Sequence, residues 1–158
     1  MANRGELRVM ENLDEVDLKI LRALQEDART PFSRIASSIG VSEATVHLRV
    51  QKLKRLGVIK GFRAIIDPGK VGKSLTAIVL LRADPTKFRD AVRQIASIDD
   101  VYEVYDVTGE YYAVLKIRAS NRESLAKIID RIGEIEGVTS TQTMVVLRTI
   151  KEEDRLKF

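Results

Sequence analysis

Hydrophobic residues recur every three or four positions in short segments near the beginning of the chain, a pattern typical of amphipathic helices. Asp14 precedes the first segment and can cap a helix that ends near residues 26–27. Thr30-Pro31 signals the start of a second helix, with Thr30 as its cap, and Gly40 ends it. The predicted inward faces are Val16, Ile20, Leu21 and Leu24 in the first helix and Phe32, Ile35, Ala36 and Ile39 in the second.

A third helix is predicted from Ser42, its cap, to Gly57, with an apolar stripe formed by Val46, Val50, Leu53 and Leu56. Only a tight turn fits between Gly40 and Ser42, which predicts a helix-turn-helix with the third helix in the recognition position. Residues 58–66 are expected to form two short strands around Lys60-Gly61, a wing beside that helix.

The second half of the chain has a different pattern, in which strands and helices alternate. A continuous apolar strand is followed by a helix that starts at Asp84-Pro85, two strands joined by a tight turn, a helix capped by Asn121, and a last strand. The strands are predicted at Leu75–Arg82, Val101–Thr108, Tyr111–Arg118 and Val138–Leu147. This β-α-β-β-α-β order is the ferredoxin-like unit, so we predict an α+β protein with an N-terminal winged helix-turn-helix and a C-terminal ferredoxin-like βαββαβ domain.

The turn signal Asp67-Pro68-Gly69-Lys70 marks the expected domain boundary. We therefore divide the chain into a flexible arm or extra helix (1–12), a winged helix-turn-helix DNA-binding domain (13–66), a linker (67–73) and a ferredoxin-like domain (74–158), to which the family resemblance described below assigns effector binding and oligomerisation. The first predicted strand is apolar on both sides, so the sheet face without helices would be exposed in a single copy. A homodimer that pairs these faces is the prediction, and a monomer with a few exposed apolar residues is the alternative.

The distribution of charge along the chain limits the possible functions further. The net charge is only +4, but residues 34–63 contain seven basic residues and one acidic residue, Glu43. Such a local excess favours a nucleic-acid contact, and the partner is expected to be double-stranded DNA. The sequence has no cysteine and one histidine, so neither a disulfide framework nor a metal site is expected. No apolar run is long enough to span a membrane, and we expect a cytoplasmic protein.

Specific motifs accompany these elements: residues 13–21 (LDEVDLKIL) open the first helix, and Asp27-Ala28-Arg29 precedes the second helix. Both motifs resemble those of the Lrp/AsnC, or feast/famine, family of transcriptional regulators. Val41-Ser42 opens the third helix, residues 53–59 (LKRLGVI) close it in the family manner, and residues 107–111 (VTGEY) are similar to the family's strand-turn-strand signature. The resemblance covers about residues 13–150.

The resemblance implies a cytoplasmic DNA-binding homodimer that assembles further, to tetramers or octamers, and binds a free amino acid between dimers. One position departs from the family pattern, because Tyr112 stands where many members have aspartate. If that aspartate holds the effector's ammonium group, this chain uses Glu110 instead or binds another ligand.

Candidate DNA-binding residues lie on and beside the third helix. Arg49 is predicted to read guanine, because a guanidinium can donate to two base acceptors. The first-turn residues and His47 could contact bases or phosphates, although Thr45 could instead bond within the turn and His47 could merely face solvent. The predicted set on the helix is Ser42, Glu43, Thr45, His47 and Arg49. Phosphate contacts are predicted for Lys52, Lys54, Arg55, Lys60 and Arg63. Arg34 could make either a phosphate contact or an ion pair within the domain.

Candidate effector residues surround the predicted hairpin tip, where a backbone N–H could bind a carboxylate and Glu110 an ammonium. The set comprises Gly109, Glu110, Tyr111, Tyr112, Thr139, Thr141 and Thr143, and Ser140 and Gln142 add a hydroxyl and an amide on the same strand end. The alternative is that Gly109 serves only the turn and the threonines only the strand. No catalytic residue and no cofactor is predicted, because the sequence has no activated nucleophile and no phosphate-binding glycine loop. An architectural DNA-binding protein of low specificity, without an effector, is the competing function.

Overall fold

The computed structural model describes residues 13–158, and the predicted arm at residues 1–12 lies outside the described residues. The described chain divides into two compact units. The first comprises residues 13–64 together with Glu153–Phe158, and the second comprises Ile65–Glu152. The division therefore falls close to the predicted boundary at residue 66. Glu153–Phe158 belongs to the first unit, although we expected it in the second domain.

Three helices form the first unit: α1 (Glu15–Glu26), α2 (Phe32–Ile39) and α3 (Glu43–Arg55). Asp14 caps α1 as predicted, since its carboxylate accepts a hydrogen bond from the backbone N–H of Asp17 at 2.9 Å. Thr30 does not cap α2; the cap position is Pro31, which makes no side-chain bond. The N–H of Thr30 instead donates to the carbonyl of Asp27, so Thr30 closes the turn after α1.

A compact apolar core joins the three helices and fixes the face that α3 turns inward. Gly40 has a φ of 74°, a left-handed conformation that lets the chain turn directly from α2 into α3. This is the helix-turn-helix that the spacing predicts. The buried side chains of the core are Ile20, Leu24, Ile35, Ala36, Val46, Val50 and Leu53.

The predicted wing does not form strands: residues 58–66 have no strand in the structure. After Gly57 the N–H groups of Val58 and Ile59 donate to the carbonyl of Leu53, at 3.0 and 3.2 Å. These bonds close the end of α3 and use the donors that a strand ladder would need. A two-stranded hairpin of this length is also marginally stable by itself. Lys60 and Arg63 therefore lie on an exposed irregular segment.

The second unit has the predicted β-α-β-β-α-β order, preceded by a short 3-10 turn over Pro68–Val71 within the predicted linker. Its sheet has the order β2-β3-β1-β4, and all three neighbouring pairs are antiparallel. The strands are β1 (Leu75–Ala83), β2 (Val101–Asp106), β3 (Ala113–Ala119) and β4 (Val138–Val145), and the helices are α4 (Phe88–Ala96) and α5 (Arg122–Gly133). Asn121 caps α5 as predicted, by accepting the N–H of Ser124 at 2.8 Å.

Both helices cover one face of this sheet. Alternate residues of β1 and β3 are buried with α4 and α5, for example Val79 and Leu115, which are register partners. The residues between them face the other way, and we call this side the open sheet face. It is defined by Ile78, Leu80, Arg82, Tyr105, Val114, Lys116, Arg118, Gln142 and Met144, which the strand register places together.

The segment Glu153–Phe158 packs on α1 through polar contacts. Gln25 exchanges two hydrogen bonds with the backbone of Leu156, at 2.7 and 3.1 Å. Arg155 contacts both carboxylate oxygens of Glu26 at 3.1 Å, and Arg22 donates to the carbonyl of Phe158. These contacts explain why this segment belongs to the first unit. Among residues 13–158, every helix is too short or too polar to cross a membrane.

Candidate functional site

The orientation of α3 is set by its cap and its apolar stripe. The Ser42 hydroxyl accepts a hydrogen bond from the backbone N–H of Thr45 at 3.0 Å, as a capping serine does. The two hydroxyl oxygens of Ser42 and Thr45 are 2.8 Å apart, so the internal first-turn bond considered for Thr45 is present. Val46 and Val50 are buried in the core. The opposite side of α3 is therefore held toward solvent.

Four exposed residues form the centre of that solvent side, and we call them the outward row. They follow one another at i, i+4, i+7 and i+11, which places them on one face opposite the buried stripe. The outward row is Ala44, Leu48, Gln51 and Arg55. Sequence reasoning identified only Arg55, because it selected residues by charge and hydrogen bonding. Ala44, Leu48 and Gln51 could have been identified from the sequence, because their spacing places them opposite Val46 and Val50.

Arg49 lies at the edge of α3 that meets α1 and is held by acidic residues there. Its guanidinium is 2.6 Å from the carboxylate of Asp14 and 3.4 Å from that of Asp17. The hydrogen bond that Arg49 donates to the Asp14 carboxylate raises the pKa of Arg49. The pKa of the Asp14 carboxyl is lowered, first by the N–H of Asp17 and further by Arg49. These contacts engage Nη1 of the Arg49 guanidinium with α1. Reading of guanine by Arg49 stays a prediction, and it would compete with these ion pairs.

Lys52 belongs to the same ion-pair network. Its ammonium is 2.9 Å from the carboxylate of Asp17, which is fully buried. Burial of a carboxylate is costly unless it is paired and hydrogen-bonded, and Asp17 is both. The network of Asp14, Asp17, Arg49 and Lys52 therefore fixes α3 against α1, and the phosphate contact of Lys52 stays a prediction.

The other predicted DNA contacts are at the surface. Ser42 and Glu43 are exposed at the start of α3, and the ring of exposed His47 packs edge-on against Phe32 of α2 with centroids 6.0 Å apart. Five cations are exposed and make no side-chain hydrogen bond or ion pair with any described residue. They are Lys54 and Arg55 on α3, Lys60 and Arg63 after it, and Arg34 on α2. The ion pair considered for Arg34 is thus absent from the described chain.

Comparisons with known proteins agree with this arrangement. The AsnC-type helix-turn-helix domain matches residues 13–54, and the Lrp/AsnC ligand binding domain matches residues 76–156. HTH-type transcriptional regulator FL11 of Pyrococcus horikoshii is 43% identical over 144 residues, which cover 91% of this chain and 95% of that protein. The chain belongs to the Lrp/AsnC family. It is a transcriptional regulator with a helix-turn-helix and a ligand-binding domain, not an enzyme.

Solved structures of this family share the fold. The structure of E. coli AsnC superimposes with a TM-score of 0.85 at 30% identity, over 90% of this chain and 97% of that one. The transcriptional regulator NMB0573 of Neisseria meningitidis, solved as an L-Met complex, has a TM-score of 0.85 at 23% identity, over 92% and 96% of the two chains. The α+β architecture predicted from the sequence is therefore confirmed, apart from the wing strands.

In the ligand-binding domain of this Lrp/AsnC regulator, the hairpin tip is tied to the open sheet face. Glu110 forms an ion pair with Arg82, whose guanidinium lies 5.1 Å from the centre of the Tyr111 ring. The Tyr111 hydroxyl donates to the side-chain oxygen of Gln142. Arg82 was not in the predicted effector set, whereas Gln142 was named there beside the threonines. Gly109, at the tip, has a φ of 120°, which a glycine adopts readily.

The remaining predicted effector residues do not join this group. Thr141 and Thr143 pair with Leu81 and Val79, so they lie on the sheet face that carries the helices. Tyr112 contacts Phe88, with ring centres 5.5 Å apart, and Thr139 is exposed at the beginning of β4. The structure thus separates the threonines from the polar cluster of Arg82, Glu110, Tyr111 and Gln142. No three acidic, histidine or cysteine side chains within residues 13–158 converge to bind a metal.

Proposed function

We propose that this regulator binds specific DNA sites through α3 as a homodimer. The observation that carries the proposal is that α3, the second helix of a helix-turn-helix, presents a wholly exposed outward row, flanked by cations that have no ion-pair partner among residues 13–158. A recognition helix in this motif enters the major groove, and the N-terminal part of the helix contacts base edges. Ala44 and Leu48 occupy that part, with Ser42, Glu43 and His47 beside them.

Phosphate contacts fall to the exposed cations. Lys54 and Arg55 lie on the last turn of α3, and Lys60 and Arg63 follow it. Such contacts supply most of the affinity and make it dependent on salt, but they carry no sequence information. Arg49 and Lys52 instead support α3 through Asp14 and Asp17. Arg34, on α2, completes the phosphate set that we propose.

The open sheet face supports the proposed homodimer. Its centre is apolar and comprises Ile78, Leu80, Val114 and Met144. Lys116 and Arg118 lie beside it and pair with Glu152, which holds the pKa of the Glu152 carboxyl below its usual value. An apolar centre with a charged rim is the anatomy of a protein interface, and a two-fold axis lets one surface pair with itself.

An amino acid is the effector that we propose. The family model assigns a ligand-binding domain, and the Neisseria protein of the same fold was solved with L-Met. In this chain Glu110 and Arg82 place one negative and one positive group together beside the exposed hairpin tip, and these groups complement an ammonium and a carboxylate. Because this tip is exposed, a second dimer could complete the site, which fits assembly to tetramers or octamers.

Calorimetric titration tests the effector. We expect heat of binding with at least one of the common amino acids, and loss of that heat in Glu110→Ala. Thr143→Ala lies on the other sheet face and should retain it. Absence of heat with every amino acid, for protein shown to be free of ligand, would contradict the effector proposal and leave the DNA proposal untouched.

A DNA titration tests the main proposal. The wild type should bind DNA selected from a random library at least about 10³-fold more tightly than unselected DNA. Lys54→Ala and Lys60→Ala should weaken binding to both and reduce the salt slope by about one each, whereas Arg131→Ala, an equal charge loss on α5, should change neither. Equal affinity for selected and random DNA would instead indicate the architectural protein, which the family relatives do not favour. A regulator of this kind acts in the cytoplasm, where its DNA is.

A further inference from the structure

Leu48 is an exposed leucine in the middle of a helix whose other exposed residues, apart from Ala44, are polar or charged. The residue is 66% exposed, although Val46 and Val50 on the same helix are buried. Isolated surface leucines are common. Leu48 differs because it lies at the centre of the outward row, the surface that the proposed function places in the major groove. The inference therefore rests on that function and extends it to one base.

Leu48 has no hydrogen-bonding group, which limits what it can recognise. The major groove presents hydrogen-bond donors and acceptors on every base pair, but only thymine presents a methyl group there. Contact with that methyl group stabilises an apolar side chain in the groove. Against any other base edge, the same side chain would leave the polar groups of the base without a hydrogen-bond partner. We propose that Leu48 contacts the 5-methyl group of a thymine in each half-site and so determines specificity.

The neighbours of Leu48 support DNA as the occupant of this surface. Ala44 precedes it by four residues and is small enough to let the helix approach the bases, and Gln51 follows by three. Arg55 and Lys54 lie farther along α3 and are exposed cations without a described partner. A protein partner with a hydrophobic pocket would not need this basic border, whereas two phosphate backbones complement it.

Base substitution isolates the methyl group. DNA selected by the wild type is prepared with each thymine replaced in turn by deoxyuridine, which removes the methyl and retains every hydrogen-bonding group. We expect one replacement per half-site to weaken wild-type binding about three- to fivefold, the value of one buried methyl. The same replacement should not weaken Leu48→Ala. Because Leu48 is exposed, Leu48→Ala should fold normally, which its circular dichroism and melting temperature check.

Lys54→Ala is the control, because it should lose affinity on both DNAs and keep the full deoxyuridine effect. The inference would be overturned if deoxyuridine weakened binding equally in the wild type and Leu48→Ala, or if it had no effect at any thymine. Specific DNA binding by the wild type in the same experiment would still support the proposed function. Unchanged DNA binding by Leu48→Ala would overturn it too and indicate that this leucine serves a protein partner. Failure of the wild type to bind any DNA would overturn the proposed function and the inference together.

Discussion

At the scale of single residues, the ion pairs between α1 and α3 decide which side chains remain available for DNA. Asp17 is the one buried charged residue among residues 13–158, and Arg49 and Lys52 converge on it. An arginine on a recognition helix suggests base reading from its chemistry alone. Here its position beside Asp14 gives it a supporting role, and we propose that the less polar outward row enters the groove.

Replacement of Asp17 tests that supporting role. Asp17→Ala removes the buried carboxylate and leaves Arg49 and Lys52 without it, although both are about 30% exposed and can be hydrated. We expect a loss of about 1–3 kcal/mol in the free energy of unfolding, less than for a fully buried pair. Urea denaturation measures it, with Glu15→Ala as a control on the same helix. A change below about 0.5 kcal/mol would contradict the role.

The lowered pKa of Asp14 gives a dependence on pH. A carboxyl whose pKa is lower in the folded state stabilises the fold above its unfolded pKa, and this contribution is lost as the pH falls through the folded pKa. We therefore expect the difference in melting temperature between wild type and Asp14→Asn to begin to shrink below about pH 4, the unfolded pKa, and to disappear as the pH falls through the lower folded pKa. Asparagine keeps the cap and removes only the charge. A difference that persists at pH 2 would contradict the assignment.

At the scale of elements, the glycine between α5 and β4 allows the backbone there to pass close to Lys87. Gly137 has a φ of 97°, and a Cβ atom built there would lie 2.6 Å from the Cβ of Lys87. Gly137→Ala should therefore lower the free energy of unfolding by about 1–3 kcal/mol. Gly133→Ala is the control in the same unit, because Gly133 has open space around it and should change stability little. Equal melting temperatures for the two variants would show that the contact is not restrictive.

Elements with local signals were predictable from the sequence, and those that depend on distant partners were not. Ser42 and Asn121 cap their helices as expected, because a cap needs only its own first turn. The wing failed because the N–H groups of Val58 and Ile59 bind the end of α3. In the candidate site, the exposed face of α3 could be predicted because it lies opposite the apolar stripe of that helix. The Arg49–Asp14 ion pair could not, because it joins residues far apart in the chain and no regular spacing in the sequence indicates it.

At the scale of the whole molecule, the proposed regulator consists of two copies joined through the open sheet face. Leu80→Glu places a charge at the centre of that face and should convert the dimer to a folded monomer in sedimentation at micromolar concentration. Gln94→Glu, on exposed α4, should leave the dimer intact. A monomeric wild type would contradict the dimer, and a dimeric Leu80→Glu would place the interface elsewhere.

The most direct test of the central claim, that α3 binds DNA in two symmetric copies, is a methylation-interference footprint on a selected site. Two recognition helices joined by a two-fold axis enter successive major grooves about 34 Å apart. We expect methylated purines to interfere at two major-groove positions separated by one helical turn, on the same side of the duplex. Interference confined to the minor groove, or spread evenly along the site, would contradict the account.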